Sequence, residues 1–221
     1  KSDALTDLSK ANLWFHGASV GEWAGLRPII AQLKNSGIDS NVIYTAMTST
    51  GKAQAEHSGL CNLVAHLPFD HPRFATRALE LIRPRVLIIA ETEIWPNLMI
   101  SAAVKEIPIV IVNGRISDYS WPRYRRVSRL LNPILKLVTK CCVQTDKDGE
   151  RFAALGIYPD RIRVVGSTKY DTEPQILAPD ERLSRYSQFG LDATRPVFVA
   201  GSVRPDEDGV VVDAYLEARK S

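Results

Sequence analysis

The chain predicts an α/β fold built on a parallel β-sheet. Two observations carry the prediction. Short apolar runs alternate with helix-length amphipathic segments from start to finish, the signature of β-α-β units. The 221 residues, 45% hydrophobic and 24% charged, suffice for a sizeable core and exclude collagen-like, low-complexity and disordered chains. The 28 basic side chains exceed the 25 acidic ones by only three, too slight an excess to argue for nucleic acid.

The first apolar run, 13–16, reads as a strand. Segment 22–35 reads as a helix, because Leu26, Ile29, Ile30 and Leu33 fall at i, i+3, i+4 and i+7 on one face. Between them, Gly17-Ala18-Ser19-Val20-Gly21 matches G-x-S-x-G in the strand-to-helix context of a serine-hydrolase elbow, which makes Ser19 a candidate nucleophile. That chemistry needs an acid and then a histidine downstream, and none of His57, His66 and His71 has a convincing acid before it. Glycines that merely permit a tight turn explain the pattern as well. In another reading Gly17 and Gly21 bare the backbone and Glu22 stands in the first helical turn, at the carboxyl end of a strand where open α/β sheets bind ligands. The helix dipole favours an ionised carboxylate there, able to accept a proton from a hydroxyl; a plain helix-terminal charge is the structural alternative.

A strand at 41–46 and a helix at 51–58 flank Thr48-Ser49-Thr50-Gly51-Lys52. This turn resembles the end of a phosphate-binding P-loop, but Ala46 and Ala53 stand where Gly and Ser or Thr are needed, so it is read as a helix cap. A strand at 62–67 and a helix at 72–82 follow. The apolar strand 86–90 runs directly into Glu91-Thr92-Glu93, and in an extended chain residues two apart share a side. The two carboxylates are thus expected to meet at one strand end, to hold a metal or a polyhydroxyl ligand or to act as an acid–base pair. Pro96 supports the competing reading, a charged start to the helix at 94–105.

Asn113-Gly114-Arg115 closes the strand at 109–113, and Gly166-Ser167-Thr168-Lys169 closes that at 163–165, so Arg115 and Lys169 reach the same edge as candidate anion ligands. Helices at 123–137 and 147–155 enclose a strand at 138–144. Residues 119–131 interleave Arg123, Arg125, Arg126 and Arg129 with Tyr119, Trp121 and Tyr124, a pattern suited to an anionic membrane surface or a phosphorylated ligand, or to a solvated helix face. No apolar stretch reaches 18 residues. The three cysteines, Cys61, Cys141 and Cys142, lack C-x-x-C spacing, which argues against a zinc site or disulfide framework and for a reducing, cytosol-facing compartment. Residues 173–195 read as a linker after a domain at 1–172. Residues 196–221 then open a further unit with a strand at 196–200 and a helix at 207–219, too little to bury a core, and both ends of the chain read as cut.

Taken together, His16-Gly17-Ala18-Ser19-Val20-Gly21-Glu22, Thr45-Ala46-Met47-Thr48-Ser49-Thr50-Gly51, Leu67-Pro68-Phe69-Asp70, Glu91-Thr92-Glu93-Ile94-Trp95-Pro96-Asn97-Leu98, Asn113-Gly114-Arg115-Ile116-Ser117 and Gly166-Ser167-Thr168-Lys169-Tyr170-Asp171 come in the order and spacing of one family. From about Leu13 to Ala200 the chain resembles 3-deoxy-D-manno-octulosonic acid (Kdo) transferase. The resemblance implies a Rossmann-like parallel sheet with helices on both faces, the amino-terminal, acceptor-holding lobe of a two-lobed GT-B glycosyltransferase, with CMP-Kdo held by the other lobe. It implies Glu22 as the general base, and Glu91 and Lys169 as transition-state stabilisers. Ser19, Gly21, Thr48, Glu93 and Arg115 become acceptor-binding candidates, and Trp121, Arg123, Arg125, Arg126 and Arg129 membrane-contact candidates. It implies the cytoplasmic face of the inner membrane, a lipid A precursor as acceptor, no metal or other cofactor, and no nucleic acid. The family's anchoring segment and most of its donor lobe are not in these residues, Val203-Arg204 stand where the family has Thr-His, and the chain alone is expected to be catalytically silent. A serine hydrolase acting through Ser19 and a non-catalytic α/β ligand-binding module are the alternatives.

Overall fold

A computed structural model describes residues 10–171 and 177–220. The chain divides into two compact units, Lys1–Thr172 and Glu173–Ser221. In the first, strands β1 (Ala11–His16), β2 (Ser40–Ala46), β3 (Leu63–His66), β4 (Pro84–Ala90), β5 (Ile109–Gly114), β6 (Lys140–Val143) and β7 (Ile162–Val164) form one sheet in the order β3-β2-β1-β4-β5-β6-β7. Every pairing is parallel. The chain runs outward from β1 to β3, then crosses back to lay β4 on the other side of β1. The carboxyl ends of β1 and β4 therefore flank the crevice in which open sheets of this kind bind ligands.

Helices α1 (Val20–Asn35), α2 (Ser49–His57), α3 (Pro72–Ile82), α4 (Pro96–Val104), α5 (Trp121–Arg126), α6 (Ser128–Leu135) and α7 (Asp146–Leu155) connect the strands. Successive strand side chains point to opposite faces, and each face has its own core. Trp14, Ile43, Leu87, Ile89, Ile109, Ile111, Cys141 and Val143 meet α3, α4, α6 and α7 through residues such as Leu79, Met99, Leu135 and Phe152. Phe15, Val42, Tyr44, Ala46, Ile88 and Ala90 meet Trp23, Leu26 and Ile30 of α1 and Ala55 of α2. The near-continuous apolar strands are thus explained by burial on both faces.

The helix expected at 123–137 is two helices. Val127, at φ −102° and ψ 13°, ends α5 and opens α6. The break lets Trp121, Tyr124, Leu131 and Ile134 all pack on the core, while Arg123, Arg125, Arg126 and Arg129 stay exposed. Of the expected linker, residues 172–176 lie outside the described residues, and the remainder carries helix α8 (Pro179–Gln188). The second unit ends in α9 (Asp208–Ala218). Its expected strand at 196–200 is absent and exposed, because a strand exists only by pairing its backbone groups and the described residues of this unit offer no partner strand.

One long-range cap shapes the crevice. Trp95, the residue preceding α4, makes no side-chain cap of its own. Asp70 supplies it, accepting from the Asn97 N–H at 3.1 Å and the Leu98 N–H at 2.9 Å, while Asn97 Nδ2 donates to the Asp70 carbonyl at 2.9 Å. This ties the loop between Glu91 and α4 to the turn before α3. Asp70→Ala is expected to lower unfolding free energy by about 1–2 kcal/mol, with Asp70→Asn retaining most of it, as read from urea denaturation.

Candidate active site

The turn from β1 into α1 is a capping box. Ser19 precedes the helix in extended conformation, its hydroxyl accepting from the Gly21 N–H at 3.2 Å. Glu22 Oε2 reaches back to accept from the Ser19 N–H at 2.9 Å and from the Ser19 hydroxyl. Gly17 makes the arrangement possible, since a Cβ there would stand 2.9 Å from Glu22 Cβ and 3.3 Å from the Tyr44 hydroxyl. That hydroxyl donates to the Gly17 carbonyl at 2.9 Å. Burial is the largest influence on Glu22 and pushes its pKa up, but the Ser19 hydroxyl, the backbone N–H groups of Glu22 and Ser19 and the Lys169 charge together outweigh it. The carboxyl is held below its ordinary value, and Glu22 is ionised at neutral pH.

Lys169 arrives from the far edge of the sheet. A 3-10 turn at Thr168–Tyr170 follows β7, and Thr168 anchors it. The Thr168 N–H donates to Asn113 Oδ1 at 3.2 Å and the Thr168 hydroxyl to the Gly25 carbonyl at 2.7 Å. Lys169 Nζ then lies 2.6 Å from Glu91 Oε1, and a methyl group at Gly21 would stand 4.0 Å from it. One ammonium thus serves both the turn after β1 and the turn after β4.

The expectation that Glu91 and Glu93 share a side through extended backbone is incorrect. Glu91 has φ 53°, in the left-handed region, and the strand pleat ends at Ala90. Its N–H is held by the Val112 carbonyl at 2.9 Å, and the Thr92 hydroxyl donates to the Arg115 carbonyl. The resulting turn sends Glu91 to Lys169 and Glu93 to Trp95, whose Nε1 donates to Glu93 Oε2 at 3.1 Å. Burial, then the Glu22 charge, raise the Glu93 pKa; the Trp95 hydrogen bond opposes this and the Glu91 charge adds to it. Glu22 is thus driven down and Glu93 up, the pattern expected of a site with divided acid–base roles.

Among the other sequence candidates, the Ser19 hydroxyl is engaged by Glu22 and Gly21, and no histidine nitrogen among the described residues bonds to it. Thr48 caps α2, accepting from the Gly51 N–H at 3.1 Å. Arg115 is exposed at the same edge. Trp121 packs partly on the core beneath the Arg151 guanidinium, 5.6 Å from its ring, and Arg123 is taken up by Tyr119, bonding its hydroxyl at 2.9 Å. Arg125, Arg126 and Arg129 project from α5 and α6. Among the described residues no group of three or more His, Cys, Asp or Glu is placed to hold a metal ion, and no helix is long and apolar enough to cross a membrane. Sequence reasoning singled out no chemistry for His16, Tyr44 or Asn113, all buried. The only signal for His16 and Asn113 was their place in the motifs that end β1 and β5, and Tyr44 lay just outside the motif that ends β2.

An all-parallel, doubly wound sheet with its charged groups gathered at the switch point is a Rossmann-like lobe of the GT-B fold class. The solved glycosyltransferase of Rickettsia africae superposes with TM-score 0.64 over 96% of this chain and 58% of that one, at 12% identity, a likeness of fold. Residues 2–172 match the family model of 3-deoxy-D-manno-octulosonic-acid transferase (Kdo transferase), and the chain belongs to this family. It is 32% identical to a bifunctional glycosyltransferase/methyltransferase of Fusobacterium nucleatum, over 97% of this chain and 34% of that protein. It is 30% identical to the 3-deoxy-D-manno-octulosonic acid transferase of Bordetella pertussis, over 96% of this chain and 49% of that protein. The chain therefore spans between a third and a half of the length of these two relatives.

Ser19→Ala removes the strongest downward influence on Glu22. Because the folded carboxyl lies below its unfolded value, it contributes stability that is complete above the unfolded value and lost as pH falls through the folded one. Carbon-detected NMR titration of Glu22 is expected to show a raised midpoint in Ser19→Ala, with the acid-side loss of stability reduced and the cap's contribution of about 1 kcal/mol gone.

Proposed function

We propose that this chain is the acceptor lobe of an inverting glycosyltransferase that transfers Kdo from CMP-Kdo to a sugar hydroxyl of a lipid A precursor. The observation that carries the reading is the meeting of Glu22, Glu91 and Lys169 at the switch point of a Kdo transferase family member. Glu22 is ionised and stands at the start of α1, able to take the proton as the acceptor oxygen attacks the anomeric carbon of Kdo. That attack displaces CMP on the opposite face. Lys169 offsets negative charge developing on the departing phosphate. Glu91 holds the ammonium in place and sets an anion beside the sugar ring as it gains positive character. Ser19, Gly21, Thr48, Glu93 and Arg115 line the acceptor's approach.

The donor belongs to a second lobe in this reading, consistent with relatives two to three times as long, so the chain alone binds acceptor without turning over CMP-Kdo. Arg125, Arg126 and Arg129 face anionic lipid at the cytoplasmic side of the inner membrane, where the acceptor's acyl chains remain. Replacing all three with serine is expected to weaken sedimentation of the chain with vesicles containing phosphatidylglycerol, and to leave neutral vesicles unaffected.

The decisive experiment joins this chain to the carboxyl-terminal lobe of a relative and follows CMP release with lipid A precursor. Glu22→Gln keeps the side chain's size and removes the base. Turnover is expected to fall by about 10²–10⁴-fold with acceptor binding retained; unchanged turnover would remove Glu22 from the mechanism.

A further inference from the structure

His16 ends β1 at the switch point and is fully buried. Its Nδ1 lies 3.0 Å from the Thr45 carbonyl oxygen and 3.1 Å from Thr45 Oγ1. A carbonyl only accepts, so Nδ1 carries the hydrogen. Burial, opposed by the Thr45 bond and by the Glu22 charge, pushes the ring down to about 4, so at neutral pH it is uncharged and Nε2 is a bare lone pair. That atom is buried without a hydrogen-bond partner, which folded proteins seldom leave unexplained.

Glu93 Oε2 stands 4.0 Å from it, beyond hydrogen-bond reach. Trp95 holds both groups in register, its indole N–H on that same oxygen and its ring edge-to-face with the imidazole at 5.5 Å. An ionised carboxylate has nothing to offer a lone pair and is repelled by it. A protonated carboxyl satisfies it after a small side-chain rotation. The charged groups facing Glu93 point the same way: Glu22 on α1 and Glu91 on its own loop are both anionic, and Lys169 is drawn to Glu91. Tyr124 of α5, raised first by burial and then by the Glu93 charge, is neutral.

We infer that His16 and Glu93 form one couple in which the protonated Glu93 carboxyl donates to His16 Nε2, making His16 the positioning residue that keeps Glu93 neutral between Glu22 and Glu91. The crevice then carries two carboxylate charges instead of three, against one lysine. Glu22 is spared a like charge that would raise its pKa, and an anionic sugar nucleotide meets less repulsion. That last consequence rests on the transferase reading; the couple itself does not.

The test is made on this chain without substrate, labelled with 13C at glutamate carboxyls and 15N in histidine rings, with Glu93 assigned through Glu93→Gln. The expected result is a Glu93 carboxyl still protonated at neutral pH, an Nδ1–H tautomer for His16, and an Nε2 resonance that moves as Glu93 titrates; a Glu93 carboxyl ionised at neutral pH would overturn the couple. His16→Asn keeps an N–H for Thr45 and deletes Nε2, and is expected to lower the Glu93 midpoint by about one pH unit, a roughly tenfold change in its ionisation constant. His16→Gln, which turns an N–H toward Glu93, lowers it at least as far. An Nε2–H tautomer, an Nε2 resonance indifferent to Glu93 ionisation, or a Glu93 midpoint unmoved in a folded variant would overturn the couple. The native-chain spectra decide the matter even where a variant does not fold. A failed couple leaves the Glu22→Gln turnover result untouched, so the two readings fail separately.

Discussion

The close approach of the turn after β1 to the edge of the sheet is the constraint on which the site depends. Gly17 leaves no side chain between the strand end and Glu22, so the carboxylate can fold back on the Ser19 N–H and hydroxyl. The same bonds that cap α1 also hold Glu22 ionised. Helix initiation and the ionisation of Glu22 thus rest on one set of contacts, which makes the carboxylate's geometry as rigid as the helix it begins.

The second device is a single ammonium shared across the sheet. Glu91 and Lys169 are 78 residues apart in sequence, and neither the turn after β4 nor that after β7 places them together unaided. The Asn113 and Gly25 contacts of Thr168 bring the Lys169 turn over α1, and the left-handed backbone of Glu91 aims its carboxylate inward. Lys169 binds Glu91 directly and lowers Glu22 through space. Glu93, turned the other way onto Trp95, is left with burial and like charges and is pushed upward. Glu22 and Glu93 are therefore set apart chiefly by the hydrogen bonds each finds, with Lys169 adding to the first.

The basic stretch shows how helix breaks distribute chemistry. A continuous helix over 123–137 would run its arginines and aromatics around one axis. The interruption at Val127 instead directs Trp121 and Tyr124 into the core and leaves Arg125, Arg126 and Arg129 to solvent. Of the three aromatics in the basic stretch, Trp121 and Tyr124 thus pack on the core while Tyr119 stays exposed with Arg123.

Much of the fold was legible from residue order, because buried parallel strands and amphipathic helices announce themselves through local apolar patterning. The seven strand positions, the strand-to-helix turn bearing Glu22 and the capping role of Thr48 needed nothing more. The motif spacings likewise located the strand ends that carry Glu91, Arg115 and Lys169. Tertiary structure alone decided which of these groups meet. The pairing of Glu91 with Lys169, the parting of Glu91 from Glu93, the unmatched lone pair of His16 and the missing strand at 196–200 all depend on neighbours distant in sequence. Local patterning fixes which face of an element is buried, but a side chain's partner and its protonation are set by what the folded chain brings against it.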